Sequence, residues 1–284
     1  MSKLALLVLI SGCVVAQKME VTSALGRKFY STPDEKGTVA AAEKALAADP
    51  KNPDLILKLA LAHAGVREYR ESIEACTRGL KIAPENAGLL LERGHREVGL
   101  REFAAARKDL DRAAKIDPKK LDVHYHLGLA HYFTGEFAQA ADAFRQEADL
   151  APTLDARINA SNWVYASLRR AGKKDEAAKA LATITPEMKN TEPHTFFYLS
   201  LVRFFQGKMP ETEAVPPRPP AGNTDDETEL RFDTVAYGVG NWYLYNGNAA
   251  KAQEYFQAVV DGHVWMTWGY IGSELEVAKA KKGH

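Results

Sequence analysis

Histidine is the residue type in this sequence with the clearest capacity for chemistry. His124 and His131 are seven residues apart, so a helix would place both on one face, where two imidazoles could bind a metal ion. His131 also follows His63 by two periods of a 34-residue repeat in this sequence. A histidine that recurs at one position of a repeat is typical of a packing residue. His95 faces differently and adds no third ligand. We therefore predict no metal site.

Other signatures of catalysis are missing from the sequence. It contains no Gly-rich phosphate loop, no GxSxG elbow and no HExxH pair. Cys76 falls at an inward position of a helix, where a thiol is usually an inert apolar residue. Lysine plus arginine equals aspartate plus glutamate at 37 each, so no net charge attracts nucleic acid or an anionic membrane. The sequence predicts a protein that is not an enzyme, needs no cofactor and has no nucleic-acid partner.

Residues 1–16 have the pattern of an export signal. A lysine precedes a short apolar run (residues 4–10), which is too short to span a membrane. Residues 10–13 are similar to a bacterial lipobox, which implies a lipid on Cys13 and contact with the membrane only through this anchor. Residues 14–16 instead fit ordinary signal-peptide cleavage. Both routes predict an exported protein, which is periplasmic, anchored at the outer membrane or secreted.

A repeat of 34 residues organises most of the chain. Prolines recur at this interval, at Pro50, Pro84, Pro118, Pro152 and Pro186. A helix usually ends before a proline, because the ring disfavours helical geometry in the preceding residue. Small residues recur in phase with the prolines, at Ala60, Gly94 and Gly128 and again at Ser72, Ala106 and Ala140. Each unit is therefore predicted to contain two helices that cross closely and end at a proline.

These recurring positions resemble the tetratricopeptide repeat (TPR) family, whose unit is a helical hairpin of the same length. The resemblance is specific from Thr38 to Pro186. It implies an all-α fold, a right-handed superhelix of stacked hairpins, whose stability is close to a sum of unit and interface terms. It also implies a non-catalytic protein that binds a peptide or protein segment in its concave groove.

The chain divides where this pattern changes. Residues 17–37 are expected to form an N-terminal cap and residues 38–207 the repeat array. The turn of the fourth unit comes late, so its first helix should be longer and its second helix shorter. Residues 208–228, rich in proline and acidic residues, are expected to form a linker or surface loop. Residues 229–284 are expected to form one more TPR-like hairpin and a C-terminal capping helix.

One helical stripe of the third unit faces away from the hairpin interior. It comprises Tyr125, Leu129, Tyr132 and Phe133. In the TPR family this stripe lines the concave groove, so the resemblance implies a binding surface. The repeat period adds the equivalent residues of the neighbouring units, which are His95, Asn159 and Trp163. Alignment of the last hairpin by Gly240 adds Tyr237, Asn241 and Tyr245. The alternative is that these residues pack repeats on one another or on the caps, which we favour for Leu57, Leu61 and Leu91.

The sequence thus indicates an exported interaction scaffold that holds a protein segment in an aromatic groove, similar to assembly factors of the bacterial envelope. A rival is a module for a non-protein ligand such as a glycan, with Tyr125, Trp163 and Tyr245 as stacking platforms. An enzyme would need carboxylates that converge across the groove. TPR co-chaperones use Lys, Arg and Asn of the groove to bind the C-terminal carboxylate of their partner. In this sequence Leu57 and Leu61 occupy the positions where such a carboxylate site would begin, which excludes partners that bind through a C-terminal carboxylate.

The two N-terminal routes give proteins of different mass. If Cys13 is lipidated, the wild-type protein carries the mass of its acyl chains, and Cys13→Ser loses both that mass and the membrane attachment. If cleavage follows Ala16, wild type and variant both begin at Gln17 and have the same mass. Intact-mass spectrometry of protein from a bacterial host separates these outcomes, and an unprocessed N-terminus in both proteins would contradict export.

Overall fold

A computed structural model describes residues 17–185, 187–189, 196–220, 222 and 225–283. This part of the chain is mostly helical, with one antiparallel pair of short strands. The strands are β1 (Met19–Thr22) and β2 (Lys28–Tyr30). The helices are α1 (Thr38–Ala48), α2 (Pro53–Gly65), α3 (Tyr69–Ile82), α4 (Ala87–Gly99), α5 (Phe103–Ile116), α6 (Leu121–Phe133), α7 (Phe137–Leu150), α8 (Leu154–Arg170), α9 (Lys174–Leu181), α10 (Phe196–Phe205), α11 (Glu211–Ala214), α12 (Asp226–Tyr245), α13 (Ala249–Val260) and α14 (Trp268–Lys281).

Helices α2 to α9 form four consecutive hairpins that stack side by side, as the TPR resemblance implies. The first helix of one hairpin also contacts the first helix of the next, as α2 does with α4 and α4 with α6. Helices α1, α3, α5 and α7 each end two residues before one of the periodic prolines. The fifth of these prolines, Pro186, lies outside the described residues. The 34-residue period therefore gives the ends of these four helices correctly, whereas α9 ends at Leu181, five residues before Pro186.

The fourth hairpin has the unequal helices that its late turn predicts. Helix α8 has 17 residues, whereas its counterpart α6 has 13. Helix α9 has 8 residues, whereas its counterpart α7 has 14. The other first helices, α2 and α4, also have 13 residues each.

Glycines allow paired helices to approach closely at their crossings. A Cβ on Gly128 would lie 2.7 Å from the ring of Phe144, and a Cβ on Gly240 would lie 2.7 Å from the ring of Phe256. Real Cβ atoms are never this close to a ring, so only glycine permits either crossing. Helices α12 and α13 therefore repeat the geometry of α6 and α7.

Residues 17–31 form a β-hairpin, which the sequence did not predict. Glu20 in β1 is fully buried, and its carboxylate accepts a hydrogen bond from the Arg70 backbone N–H at 2.9 Å. The Arg70 side chain in turn donates to the Glu20 carbonyl oxygen at 2.8 Å. Lys18 pairs with Glu71 at 2.6 Å. These contacts fix the hairpin on the first turn of α3.

The same β-hairpin contacts the C-terminal helices on its other side. Phe29 stacks on Trp265 with ring centroids 5.4 Å apart, and the Arg27 guanidinium donates to the Tyr270 hydroxyl at 3.0 Å. The hairpin thus joins the first and last hairpins of the array. Since the stability of such a closed arrangement includes contacts between its ends, it is not a sum of nearest-neighbour terms, and the expectation drawn from an open array was wrong.

The segment predicted as a linker contains a packed helical turn. Helix α10 continues the array by packing on α8 and α12, and α11 follows it. Glu211 in α11 accepts hydrogen bonds from the hydroxyls of Tyr243 and Tyr255. Helix α12 begins at Asp226 rather than at residue 229. The described residues of 208–228 therefore form a surface loop that is attached to the last hairpin.

Arginines occupy left-handed backbone positions at two hairpin turns. Arg67 has a φ of 58° and Arg101 a φ of 65°, whereas the equivalent residue of the next turn is Gly135. This conformation costs a non-glycine residue about 1–2 kcal/mol. The Arg101 side chain offsets the cost, because its Nε donates at 2.7 Å to Glu274, a fully buried carboxylate of α14. Arg67 pairs with the exposed Asp226 of α12.

The candidate export signal and its lipidation site, Cys13, lie outside the described residues and stay predictions. In the part of the chain that is described, every helix is too short or too polar to cross a bilayer. Cys76 is buried there, and burial raises the pKa of its thiol. A thiol in this state is unreactive, in line with the packing role expected from the sequence.

The two turn arginines predict different effects of glycine. Arg101→Gly relieves the backbone but leaves Glu274 buried without its partner, which costs about 3–5 kcal/mol, so we expect a net loss of about 2–3 kcal/mol in the free energy of unfolding. Arg67→Gly loses a pair with an exposed partner, worth about 0–1 kcal/mol, and should be neutral within about 1 kcal/mol. Urea unfolding measures both variants. Equal stabilities would show that the Arg101 pair does not hold α14.

Candidate functional site

The first helices of the four hairpins, α2, α4, α6 and α8, border an open groove of about 610 Å³ on the concave side. Leu57 and Leu61 of α2 and Leu91 of α4 form part of its border. Trp268, at the start of α14, closes it toward the C-terminal helices. We call this surface the N-terminal groove.

Three of the predicted binding residues, His95, Tyr125 and Asn159, border the N-terminal groove. They come from three successive hairpins, through α4, α6 and α8, and each is half-buried. Burial, together with neighbouring Tyr198 of α10, raises the pKa of the Tyr125 hydroxyl. The structure brings these three residues together, and their role in binding stays a prediction.

Six other predicted binding residues lie in the core. Their exposed fractions are 0 % for Leu129, 3 % for Tyr132, 7 % for Phe133, 4 % for Trp163, 5 % for Tyr237 and 1 % for Asn241. Helices α10 and α12 pack on α8 here, and the Tyr132 hydroxyl donates to Asn241 Oδ1 at 3.3 Å. These residues therefore join the helices to one another. Their predicted placement on an open binding surface is corrected, because the C-terminal helices cover this half of the concave face.

Tyr245 lies apart from the N-terminal groove, at the end of α12. The Arg169 guanidinium covers its ring at 4.3 Å, and Tyr165 meets its edge with centroids 6.2 Å apart. A glycan platform of Tyr125, Trp163 and Tyr245 would need three rings on one open surface. Since one lies in the groove, one in the core and one under Arg169, that platform does not form.

The histidines considered as metal ligands have separate structural partners. His131 Nδ1 lies 2.6 Å from Glu136, and His63 Nδ1 lies 2.7 Å from Glu68 at the same place in the first hairpin. His124 Nε2 lies 2.8 Å from a backbone carbonyl oxygen. These are the packing histidines that the repeat predicts. Among the described residues, no three or more His, Cys, Asp or Glu side chains are grouped so that they could hold a metal ion.

His95 and His126 pack against each other, with tilted rings, beside Trp268 in the groove. Their ring centroids are 3.9 Å apart, and those of Trp268 lie 5.4 Å from His95 and 5.8 Å from His126. Burial lowers the pKa of both histidines, and that of His126 falls to about 4. Both imidazoles are therefore neutral at pH 7, and they present aromatic surface to the groove rather than charge.

Glu147 borders the same groove but is almost wholly buried. Its exposed fraction is 3 %, and its Oε2 has no hydrogen-bond partner among the described residues. Burial, together with the charge of nearby Asp122, raises the pKa of Glu147 to about 8. Asn159 Oδ1 is another buried acceptor that lacks a partner within the described chain. The groove thus contains unused acceptors and a carboxyl group that is mostly protonated at pH 7.

Sequence reasoning missed Glu147 and Trp268 as groove residues. A signal for Glu147 was available, because Gly79 and Ala113 occupy the equivalent positions of the two preceding units and both are buried. A glutamate in that place must lose its charge or find a partner. Trp268 gave no such signal, since it lies outside the 34-residue period.

The family model of the tetratricopeptide repeat matches residues 91–155, which run from α4 through α7 to the start of α8. The chain carries tetratricopeptide repeats. The hairpins before and after the matched region stack on it in the same way, so the TPR protein has the helical-repeat architecture of an interaction scaffold.

Solved structures of MamA are similar to about half of this TPR protein. One crystal structure of MamA is 26 % identical, covers 51 % of this chain and 83 % of its own, and gives a TM-score of 0.47. A second is 24 % identical, covers 55 % of this chain and 88 % of its own, and gives 0.48. MamA from Desulfovibrio magneticus RS-1 is 16 % identical, with coverages of 51 % and 80 % and a TM-score of 0.46. No curated protein matches the sequence.

The buried Glu147 carboxyl gives stability a pH dependence. Its folded pKa is raised to about 8 from 4.5, so its contribution is fully present below the unfolded pKa and is lost as pH rises through 8. Glu147→Gln removes this loss. Relative to wild type, the variant should gain on the order of 1 kcal/mol of unfolding free energy per pH unit between about pH 5 and pH 8.

Urea unfolding at a series of pH values measures this difference. Asp149→Asn is the control, because it removes an exposed carboxylate of the same helix and should differ from wild type by a constant amount. A constant difference for Glu147→Gln as well would contradict an uncompensated buried carboxyl.

Proposed function

We propose that this TPR protein is a non-catalytic scaffold that binds an extended segment of a protein partner in the N-terminal groove. The observation that carries the proposal is an exposed apolar border on an open concave surface, where Leu61 is 49 % exposed. A large apolar side chain exposed in a concavity gives a partner an apolar surface to cover.

The leucines supply the affinity in this proposal. Leu57 and Leu91 are half-buried, and together with Leu61 they border the groove along α2 and α4. The sequence interpretation favoured packing between repeats or on the caps for all three, and their place in the groove border supports a binding role for them. One partner side chain of leucine size, fully buried here, would contribute about 1.5–3 kcal/mol.

The polar groups supply orientation. An extended peptide carries backbone N–H groups that need acceptors when they leave water. Asn159 borders the groove, and its Oδ1, which is buried in the free protein, lacks a partner among the described residues, so we assign this acceptor role to it. The neutral rings of His95 and Tyr125 flank the path with surface that suits partly wet contacts.

The carboxyl groups at the groove do not suit catalysis. Glu92, Asp122 and Glu147 all border it, but Glu92 is paired with Arg96 at 2.7 Å, and Asp122 and Glu147 come from one hairpin, α6–α7. Acid–base hydrolysis places two carboxyl groups on opposite sides of the bond that breaks. A pair on one hairpin does not provide that arrangement, which supports a binding role.

We also propose that the scaffold acts outside the cytoplasm, either lipidated on Cys13 or released after signal-peptide cleavage. The support is the sequence of residues 1–16, a short apolar run followed by small residues. The bound segment would then belong to a protein of the cell envelope or to a secreted protein.

Substitution of Leu61 tests the proposed groove. Leu61→Asp places a charge on the apolar border, and we expect it to weaken binding of peptides selected from a random library on the wild-type protein by about tenfold or more. Ile82→Asp is the matched control, because Ile82 is 44 % exposed but lies on α3 outside the groove. Calorimetric titration measures both. Equal affinities of the two variants, or a library without binders, would refute the proposal.

A further inference from the structure

Glu147 is a buried carboxyl group for which the fold supplies no counter-charge. Its exposed fraction is 3 %, and burial and Asp122 are the causes that raise its pKa, with no cation of the described residues acting against them. Proteins rarely bury a carboxyl group in this way unless something else neutralises it. Its Oε2 is also without a hydrogen-bond partner in the described chain. The group is therefore an acceptor that the structure itself does not use.

The surroundings of Glu147 suit a small cationic head. The rings of Tyr125 and Trp268 border the same groove, and aromatic faces attract ammonium groups. The unpartnered Oδ1 of Asn159 lies in the same groove lining and adds a neutral acceptor. An –NH₃⁺ group has three donors and no acceptor, so these oxygens match its chemistry.

The charges that face the groove favour a cation over an anion. Arg96 borders the groove, but its guanidinium is already paired with Glu92 at 2.7 Å. On the rim, Lys120 and Asp122 balance one another, which leaves Glu147 as the group that has no counter-charge when it ionises. An anionic ligand would meet Glu147 and Asp122 and would find Arg96 occupied.

We infer that Glu147, with Asn159 and the rings of Tyr125 and Trp268, forms a receptor for a primary ammonium group of the bound segment. This inference rests on the proposed function and names its ligand chemistry. The ammonium belongs to a lysine side chain or to a free N-terminus. Its alkyl stem would lie along the leucine border, so one ligand would use both the apolar and the acidic parts of the groove.

A small cation tests the receptor without any peptide. n-Butylammonium should change the tryptophan fluorescence of the protein in a saturable way, and 1-butanol, of similar size but uncharged, should bind at least about tenfold more weakly. A bound ammonium would favour the ionised form of Glu147, and Glu147→Gln keeps the shape but cannot ionise, so it should weaken n-butylammonium binding by about tenfold or more. Asp149→Asn, on the same helix, should bind as wild type does. Thermal unfolding checks that each variant is folded.

Asn159→Leu is a second variant that does not depend on Glu147. It removes the neutral acceptor and should weaken n-butylammonium binding by about threefold or more, within the range of one hydrogen bond. If n-butylammonium and 1-butanol bind alike, or if Glu147→Gln binds the amine as tightly as wild type, the receptor does not exist.

Library peptides distinguish the source of the ammonium. If a lysine side chain supplies the ammonium, replacing that lysine by norleucine should weaken peptide binding about tenfold. If the N-terminal amine supplies it, acetylating the N-terminus should weaken binding by the same factor. If peptide binding depends on Leu61 but is unaffected by both changes, the ammonium receptor is refuted and the proposed groove function stands. Conversely, Glu147-dependent binding of n-butylammonium without any peptide binder supports the receptor and overturns the groove function.

Discussion

The last hairpin of a helical-repeat array has no further repeat to cover its apolar side. Another part of the chain has to bury that surface. In this protein α10, α12 and α14 bury it. Trp163 shows the result, because its ring stacks on Phe144 at 5.5 Å, lies 5.3 Å from Tyr132 and is only 4 % exposed. Where this cover stops, at Trp268, the concave face stays open as the N-terminal groove. The position of the groove is thus set by how far the C-terminal helices reach.

Two glycines of α14 determine how closely this helix packs on α12. A Cβ on Gly269 would lie 2.3 Å from the Asp233 carbonyl oxygen, and a Cβ on Gly272 would lie 2.3 Å from the Tyr237 ring. Helix α14 therefore approaches α12 closely, with backbone against backbone at Gly269 and the Tyr237 ring against Gly272. This close packing places Trp268 against His95 and His126, where it forms the wall of the groove. Residues far from the repeat array in sequence thereby shape the surface that the array presents.

The period of the sequence predicted the helix ends, the close crossings and the unequal fourth hairpin, because each depends on residues within one unit. It could not predict which half of the concave face stays open. An aromatic stripe such as Tyr125 to Phe133 looks the same in sequence whether it binds a partner or the chain's own C-terminal helices. The prediction accordingly held for the location of His95, Tyr125 and Asn159 and failed for Tyr132 and Trp163. The β-hairpin escaped prediction because its strands are only four and three residues long.

The contacts of that β-hairpin also bear on how the protein folds. Arg27 and Tyr270, which are hydrogen-bonded, are 243 residues apart in the chain. Helical hairpins normally give low contact order and fold from neighbouring residues, whereas this pairing closes a loop through the whole array. During synthesis the hairpin leaves the ribosome before its C-terminal partners exist. The contacts of this hairpin with α14 are therefore among the last to form.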